Sequence, residues 1–231
     1  MATMIIEGQR VQAASGETYD VVNPATGEVV DKVPAGGPED VDRAAKAAAK
    51  AQESWGRLAP AERAKILHKA AAHAQTKVEE IAPLLTKEQG KTLLESKIEA
   101  ERFADNIAWF ADLADKVHGE HVNLASTKLT GLVVRRPIGV TGAIVPWNFP
   151  LTLAANKVAP SIAAGNCVVL KPSSTTPLST LACVQALIDG GLPEGVVNVV
   201  LGTGTGDAIV THPLIRKIGL TGSTPTGKKV M

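Results

Sequence analysis

Hydrophobic and polar positions change rhythm three times along the chain. Over residues 1–35, short β-branched stretches are interrupted by turn residues. IIEGQRV turns at Gly8, and YDVVNPATGEVVDKV turns at Asn23-Pro24 and again near Gly27, a pattern that predicts short strands. Residues 38–118 predict a helical layer. PEDVDRAAKAAAKAQESW opens with Pro38, Glu39 and Asp40, which suits a first turn because acidic groups face the positive end of the helix. Pro60 starts a second helix, AERAKILHKAAAHAQTKVEEIAPLL, with Ile66, Leu67 and Ala70 on one face. After Gly90 a third runs from about Lys91 to Val117, with Ile98, Phe103, Ile107 and Phe110 near helical spacing.

Residues 121–137, HVNLASTKLTGLVVRRP, read as a hairpin or a pair of extended segments. Beyond them, apolar runs of four to six residues alternate with helical segments: VTGAIV, LTLAANKVAPSIAAG, CVVLK, LSTLACVQALIDG, GVVNVVLG, GDAIVTH and RKIGLT. Such alternation marks βαβ units whose parallel strands are buried on both faces. Gly165, Gly190 and Gly191 fall where these helices should end. The expected fold class is α/β, with an open, doubly wound parallel sheet over residues 139–231.

Composition narrows the functions. The 231 residues are 45% hydrophobic and 20% charged, and Lys+Arg 24 against Asp+Glu 23 leaves a net charge of +1. No global field attracts nucleic acid or anionic lipid, so neither is an expected partner. MATMIIEGQR lacks a basic stretch followed by an apolar one, and prolines break the most apolar segments, so secretion and membrane spans are not expected. The 2 cysteines, Cys167 and Cys183, form neither a disulfide framework nor a CxxC motif. A cytoplasmic protein is expected.

In a sheet of this kind ligands bind beyond the carboxyl ends of the strands. Those ends carry Pro146-Trp147-Asn148, Lys171-Pro172-Ser173-Ser174, Gly202-Thr203-Gly204 and Gly222-Ser223-Thr224. Lys171 taken alone reads as a solvated strand-end lysine. Beside a loop of hydroxyl residues, it favours a contact to ribose hydroxyls or a phosphate. Ser174 leaves room for a 2′-phosphate where a carboxylate would repel it, a tilt towards NADP with NAD still open. Asn148 is the leading catalytic candidate, since a fixed side-chain amide can stabilise an oxyanion. The competing reading, an asparagine that caps the helix starting near Leu151, is evenly matched.

Two motifs nearly match phosphate-binding patterns. Gly202-Thr203-Gly204-Thr205-Gly206 fails G-x-G-x-x-G at Asp207, leaving phosphate contact and a plain strand-to-helix turn both open. GSTPTGKK matches G-x-x-x-x-G-K from Gly222 to Lys228, but Lys229 stands where a Mg²⁺-binding Ser or Thr is needed. Ser223 or Thr224 as helix N-cap, with Pro225 in the first turn, explains that segment better. Neither cysteine suits a nucleophile, because each sits in an apolar stretch. The histidines show no metal-ligand spacing, and no metal is expected.

IVPWNFPL, AAGNCVVLKPSSTTPLS, GLPEGVVNVVLG and HPLIRKIGLTGST together resemble the aldehyde dehydrogenase superfamily. The resemblance extends to the NPATGE turn, to EQGK at 88–91 and to LVVRRPIGV, and is similar to the semialdehyde branch. It implies NAD(P)-dependent oxidation of an aldehyde to a carboxylic acid. In that chemistry a cysteine thiolate attacks the aldehyde, Asn148 helps hold the oxyanion, and a glutamate activates the hydrolytic water. It further implies that Val145, Pro146 and Trp147 line the cofactor or oxyanion site together with Asn148. Lys171 and Ser174 would meet the adenosine ribose, Gly202 the adenine side, and Gly222 with Ser223 the pyrophosphate and nicotinamide end.

The chain closes at Met231, ahead of the stretch in which the family carries its glutamate and cysteine. The resemblance therefore makes residues 1–231 an N-terminal, cofactor-binding part, inactive alone and expected to form a homo-oligomer or to join a separate catalytic half. A non-catalytic dinucleotide-binding module is the competing class.

Overall fold

The computed structural model describes residues 1–125 and 128–231. Two hairpins open the chain. β1 (Met4–Ile6) turns at Glu7-Gly8 into β2 (Gln9–Val11), and β3 (Thr18–Val22) returns as β4 (Val29–Pro34). Four helices follow: α1 (Pro38–Trp55), α2 (Pro60–Thr76), α3 (Val78–Gln89) and α4 (Leu93–Leu113). An antiparallel pair, β5 (Glu120–Asn123) and β6 (Thr130–Val133), occupies the expected hairpin, although Ser126 and Thr127 at its tip lie outside the described residues. The remainder alternates: β7 (Val140–Ile144), α5 (Pro150–Ala163), β8 (Cys167–Lys171), α6 (Leu178–Asp189), β9 (Val197–Val199), α7 (Thr205–Thr211), β10 (Ile215–Leu220) and α8 (Thr224–Val230).

The helical layer departs from its expected boundaries at two points. The second helix does not run through to Leu85 but breaks at Lys77. The break lets α3 turn away from α2 and pack on α4 and α6, burying Ile81, Leu85 and Glu88. The third helix starts at Leu93, where Thr92 and Glu95 cap each other's backbone amides at 3.2 Å. Its buried stripe runs through Glu99, Phe103, Ile107 and Ala111, so Ile98 falls outside it and is 38% exposed.

The main sheet has the order β10-β7-β8-β9-β1-β2. Its first four strands are parallel, and β1 joins antiparallel with Ile5 opposite Val199. The sheet therefore extends beyond residues 139–231. β9 is buried along its whole length and needs a neighbour on each side, and the equally buried Met4–Ile6 supplies the second. Helices α1 and α7 pack together against the sheet, while α5 and α6 pack together with α2, α3 and α4, so the sheet is doubly wound. One apolar cluster links the helical layer to the sheet, with Trp55, Phe103, Leu151 and Leu170 fully enclosed. Among the described residues no helix is long and apolar enough to cross a membrane.

Candidate functional site

Register brings the strand ends to one edge. Ile144 pairs with both Leu220 and Lys171, and Leu170 pairs with Val199, so the chain leaves all four parallel strands on the same side. Strand order reverses at β7, with β8 and β9 on one flank and β10 on the other. A reversal of this kind opens a crevice beyond the carboxyl ends, the usual ligand position in open α/β sheets. Val145 is buried there, its amide donating to the Lys171 carbonyl at 3.1 Å. Pro146 is half-buried, whereas Trp147, Asn148 and Phe149 are exposed at the crevice mouth. The Thr221 amide donates to the Ile144 carbonyl at 3.1 Å, and Lys157 Nζ reaches the Thr221 hydroxyl at 2.5 Å, which ties the exits of β7 and β10 together.

The loop carrying Asn148 is positioned from the helical layer. Helix α5 has no side-chain cap from its own N-terminal residues. Instead Glu99 Oε1, on α4, accepts from the amides of Leu151 at 2.9 Å and Thr152 at 3.1 Å. A carboxylate at this point also suits the positive end of the helix dipole. Lys91 pairs with the other Glu99 oxygen, donates to the Asn148 carbonyl at 3.1 Å, and lies 4.4 Å from the Phe149 ring centroid. Asn148 is therefore not the cap of α5: its backbone is held and its side-chain amide is left at the crevice.

The other end of α5 is fixed in the same manner. Its last carbonyls accept from Trp55 Nε1 at 3.0 Å (Ile162) and Arg63 Nε at 3.1 Å (Ala163), while Gln52 Nε2 donates to Gly165 at 2.8 Å.

A second cluster forms beyond β8 and β9. Lys171 is half-buried, with one long bond to the Pro172 carbonyl at 3.4 Å, and burial pulls its pKa down. Ser174, three residues beyond Lys171, lies beside the Tyr19 hydroxyl, and the backbone of Gly202, past the end of β9, also neighbours that hydroxyl. Gly202 has a φ of +102°, and a Cβ there would come within 2.5 Å of the Gly36 carbonyl oxygen. Glu88 underpins the loop, accepting from the amides of Leu178 at 2.7 Å and Ser179 at 2.9 Å and from the Ser179 hydroxyl. Its burial pushes its pKa up to about 7 despite those bonds. Lysine, serine and close backbone on one edge can receive a polyhydroxyl or phosphorylated group.

Beyond β10, Ser223 caps α8 by accepting from the Thr226 amide at 3.3 Å, and Gly222 beside it is exposed. Helix α8 already starts at Thr224, which places Gly227 and Lys228 inside it rather than at its N-terminus. A phosphate loop needs its G-K pair where the helix begins, so this segment is not one. Burial pushes the Cys167 thiol up to about 12 and drives Cys183 in the same direction.

Tyr19, Glu88, Lys91 and Glu99 are absent from the sequence-derived candidates. The two glutamates left a signal, since Ile81, Leu85 and Glu88, and likewise Glu99, Phe103 and Ile107, recur at helical spacing. An acid inside an apolar stripe marks a buried carboxylate that needs donors. Tyr19 left none, because its neighbours come from distant parts of the chain.

The model of the aldehyde dehydrogenase family matches residues 11–231. The chain is 44% identical over 225 residues to the 3-sulfolactaldehyde dehydrogenase of Pseudomonas putida, covering 96% of this chain and 46% of that protein. It is 39% identical to the NADP(+) succinate-semialdehyde dehydrogenase GabD of Escherichia coli (strain K12), with 98% and 48% covered. A crystal structure of PnpE in complex with nicotinamide adenine dinucleotide superposes with a TM-score of 0.96 at 40% identity, covering 99% of this chain and 47% of that one. The chain thus spans about half the length of the relatives it matches. Fold and sequence agree, and the chain belongs to the aldehyde dehydrogenase family.

Proposed function

We propose that this chain is the cofactor-binding part of an NAD(P)-dependent aldehyde dehydrogenase and carries the amide that stabilises the oxyanion during oxidation of an aldehyde to a carboxylic acid. The observation that carries the reading is the division of labour around α5. Glu99 takes the capping role and Lys91 holds the Asn148 backbone carbonyl, so the Asn148 backbone is held while its side-chain amide is not spent on capping α5 at the sheet's switch point. A preorganised donor of that kind is worth about 10²–10³ in rate.

The second cluster fits a dinucleotide. Lys171 keeps donors unused, the Tyr19 hydroxyl is enclosed without a hydrogen-bond partner, and Gly202 lets the backbone come close. Lys171 and Ser174 would hold the adenosine ribose, Gly202 the adenine side, Val145, Pro146 and Trp147 the entrance, and Gly222 with Ser223 the pyrophosphate. Bound NAD(P) supplies the hydride acceptor. Among the relatives GabD is named for NADP and PnpE was solved with NAD, which supports either cofactor here.

Both cysteines are buried with raised pKa values, so the reading assigns the thiol nucleophile to neither and expects the chain alone to bind cofactor without turnover. A cytoplasmic setting belongs to the proposal. So does self-association, supported by the exposed Leu132 and Val134 on and beside the β5–β6 hairpin.

Calorimetric titration of the chain with NADP and with NAD tests it. One-to-one binding of at least one cofactor is expected, weakened about tenfold by Lys171→Met. The absence of binding of either up to about 1 mM would overturn the reading.

A further inference from the structure

A cavity of about 370 Å³ opens between α5 and the face of the sheet formed by β7 and β10. Alternation along β10 sends Lys217 and Gly219 to this face, whereas Ile218 lies near Gly142 together with Ile209 of α7. A Cβ on Gly219 would sit 3.6 Å from the Lys157 chain, so the missing side chain leaves room there. Charge in the cavity has one sign. Arg136 from the linker before β7, Lys157 from α5 and Lys217 from β10 all line it. The segments that form its walls, residues 134–144, 150–166 and 215–220, contain no Asp or Glu.

None of the three cations has a counter-ion. Arg136 and Lys217 make no hydrogen bond or ion pair among the described residues. Lys157 Nζ reaches only neutral oxygens, the Thr221 hydroxyl at 2.5 Å and the Leu153 carbonyl at 3.5 Å, and burial pulls its pKa down. Two carboxamides add donors. Asn166 Oδ1 accepts from the Gly139 amide at 3.1 Å and Asn156 Oδ1 from Asn106 Nδ2 at 3.2 Å, while the Nδ2 groups of Asn156 and Asn166 make no bond among the described residues. A cation would be repelled from such a space, and a neutral ligand would leave its charges uncompensated. An oxyanion relieves the mutual repulsion and accepts from guanidinium, ammonium and amide donors together.

We propose that this cavity between α5 and the β7–β10 face is a binding site for a small oxyanion, a phosphoryl or carboxylate group, held by Arg136, Lys157 and Lys217. The guanidinium fork of Arg136 suits either group, since both offer paired oxygens. The cavity shares no lining residue with the edge formed by Lys171, Ser174, Gly202, Gly222 and Ser223, so the proposal stands apart from the cofactor reading.

The test is a nuclear magnetic resonance titration of the isotope-labelled 231-residue chain with inorganic phosphate and with succinate, each matched by sodium chloride of equal ionic strength. The amide signals of Ile138, Lys217 and Gly219 should shift and saturate with a Kd of about 0.1–3 mM, and chloride should not reproduce the shifts. The tighter of the two ligands identifies the group bound. Arg136→Gln and Lys217→Gln, each checked for an unchanged circular dichroism spectrum, should weaken binding at least about 5-fold. Arg135→Gln removes the same charge one residue away, from a side chain that pairs with Glu120 instead, and should change the affinity by less than about 2-fold. Shifts confined to the loop around Lys171 and Ser174, equal shifts with chloride, unchanged affinity in Arg136→Gln and Lys217→Gln, or an equal loss in Arg135→Gln would overturn the proposal. If one of the two cavity variants fails to fold, unchanged affinity in the other overturns it alone.

Discussion

Glu99 and Lys91 form an ion pair that is almost wholly shielded from water, with side chains 3% and 9% exposed, and both are bonded to the loop around Asn148. The carboxylate also terminates α5, so one buried pair joins the helical layer to the Asn148 loop. Removing one member leaves the other as an uncompensated buried charge.

Glu99→Ala should accordingly destabilise the chain by about 3–5 kcal/mol, whereas breaking an exposed pair such as Lys46–Asp42 should cost far less. Urea unfolding monitored by circular dichroism measures both. Similar losses for the two variants would refute the special status of the Glu99 pair.

Gly202 and Gly204 offer a paired test of backbone constraint. At Gly202 a Cβ would meet the Gly36 backbone and φ is +102°, while Gly204 has a φ of −73° and its nearest neighbour to an added Cβ is 3.9 Å away. Gly202→Ala should cost at least about 1–3 kcal/mol, and Gly204→Ala should stay within about 0.5 kcal/mol of the parent. Thermal melts of the two variants side by side would show it, and equal midpoints would contradict the close approach.

Glu88 gives the stability a pH dependence of definite sign. Its folded pKa is raised from 4.5 to about 7, so the native state holds the proton more tightly than the unfolded chain. The stabilisation linked to that proton is complete below about pH 4.5 and is lost as pH rises through 7. Glu88→Gln cannot ionise. It should be less stable than the parent at pH 5, because its amide meets the donors of Leu178 and Ser179, but the gap should narrow by about 2–3 kcal/mol by pH 8. A gap that stays constant between pH 5 and pH 8 in urea titrations would remove the assignment.

The parallel sheet was legible in the sequence because its strands are short apolar runs bounded by Gly and Pro, as CVVLK and GVVNVVLG are. The break at Lys77 was not, since no glycine or proline stands at 76–78 and the cause lies in how α3 packs on α4 and α6. The pairing of Ile5 with Val199 is non-local and leaves no periodic trace. At the site, Asn148, Lys171 and Gly202 could be selected because strand ends in such sheets face ligands. The sequence could not choose between a capping and an uncommitted Asn148. That choice depends on Glu99, whose partners in the α5 amides lie 52 and 53 residues away.

The Ile5–Val199 pairing also sets the timing of folding during synthesis. Met4, Ile5 and Ile6 are made well ahead of β9, whose edge they occupy through the Ile5–Val199 pair. At about 5–20 residues per second, an apolar trio waits roughly 10–40 s for its partner. During that interval the β1–β2 hairpin presents one unpaired hydrophobic strand edge, which makes β1 a natural holding site for a chaperone and a place where mispairing between neighbouring nascent chains would begin.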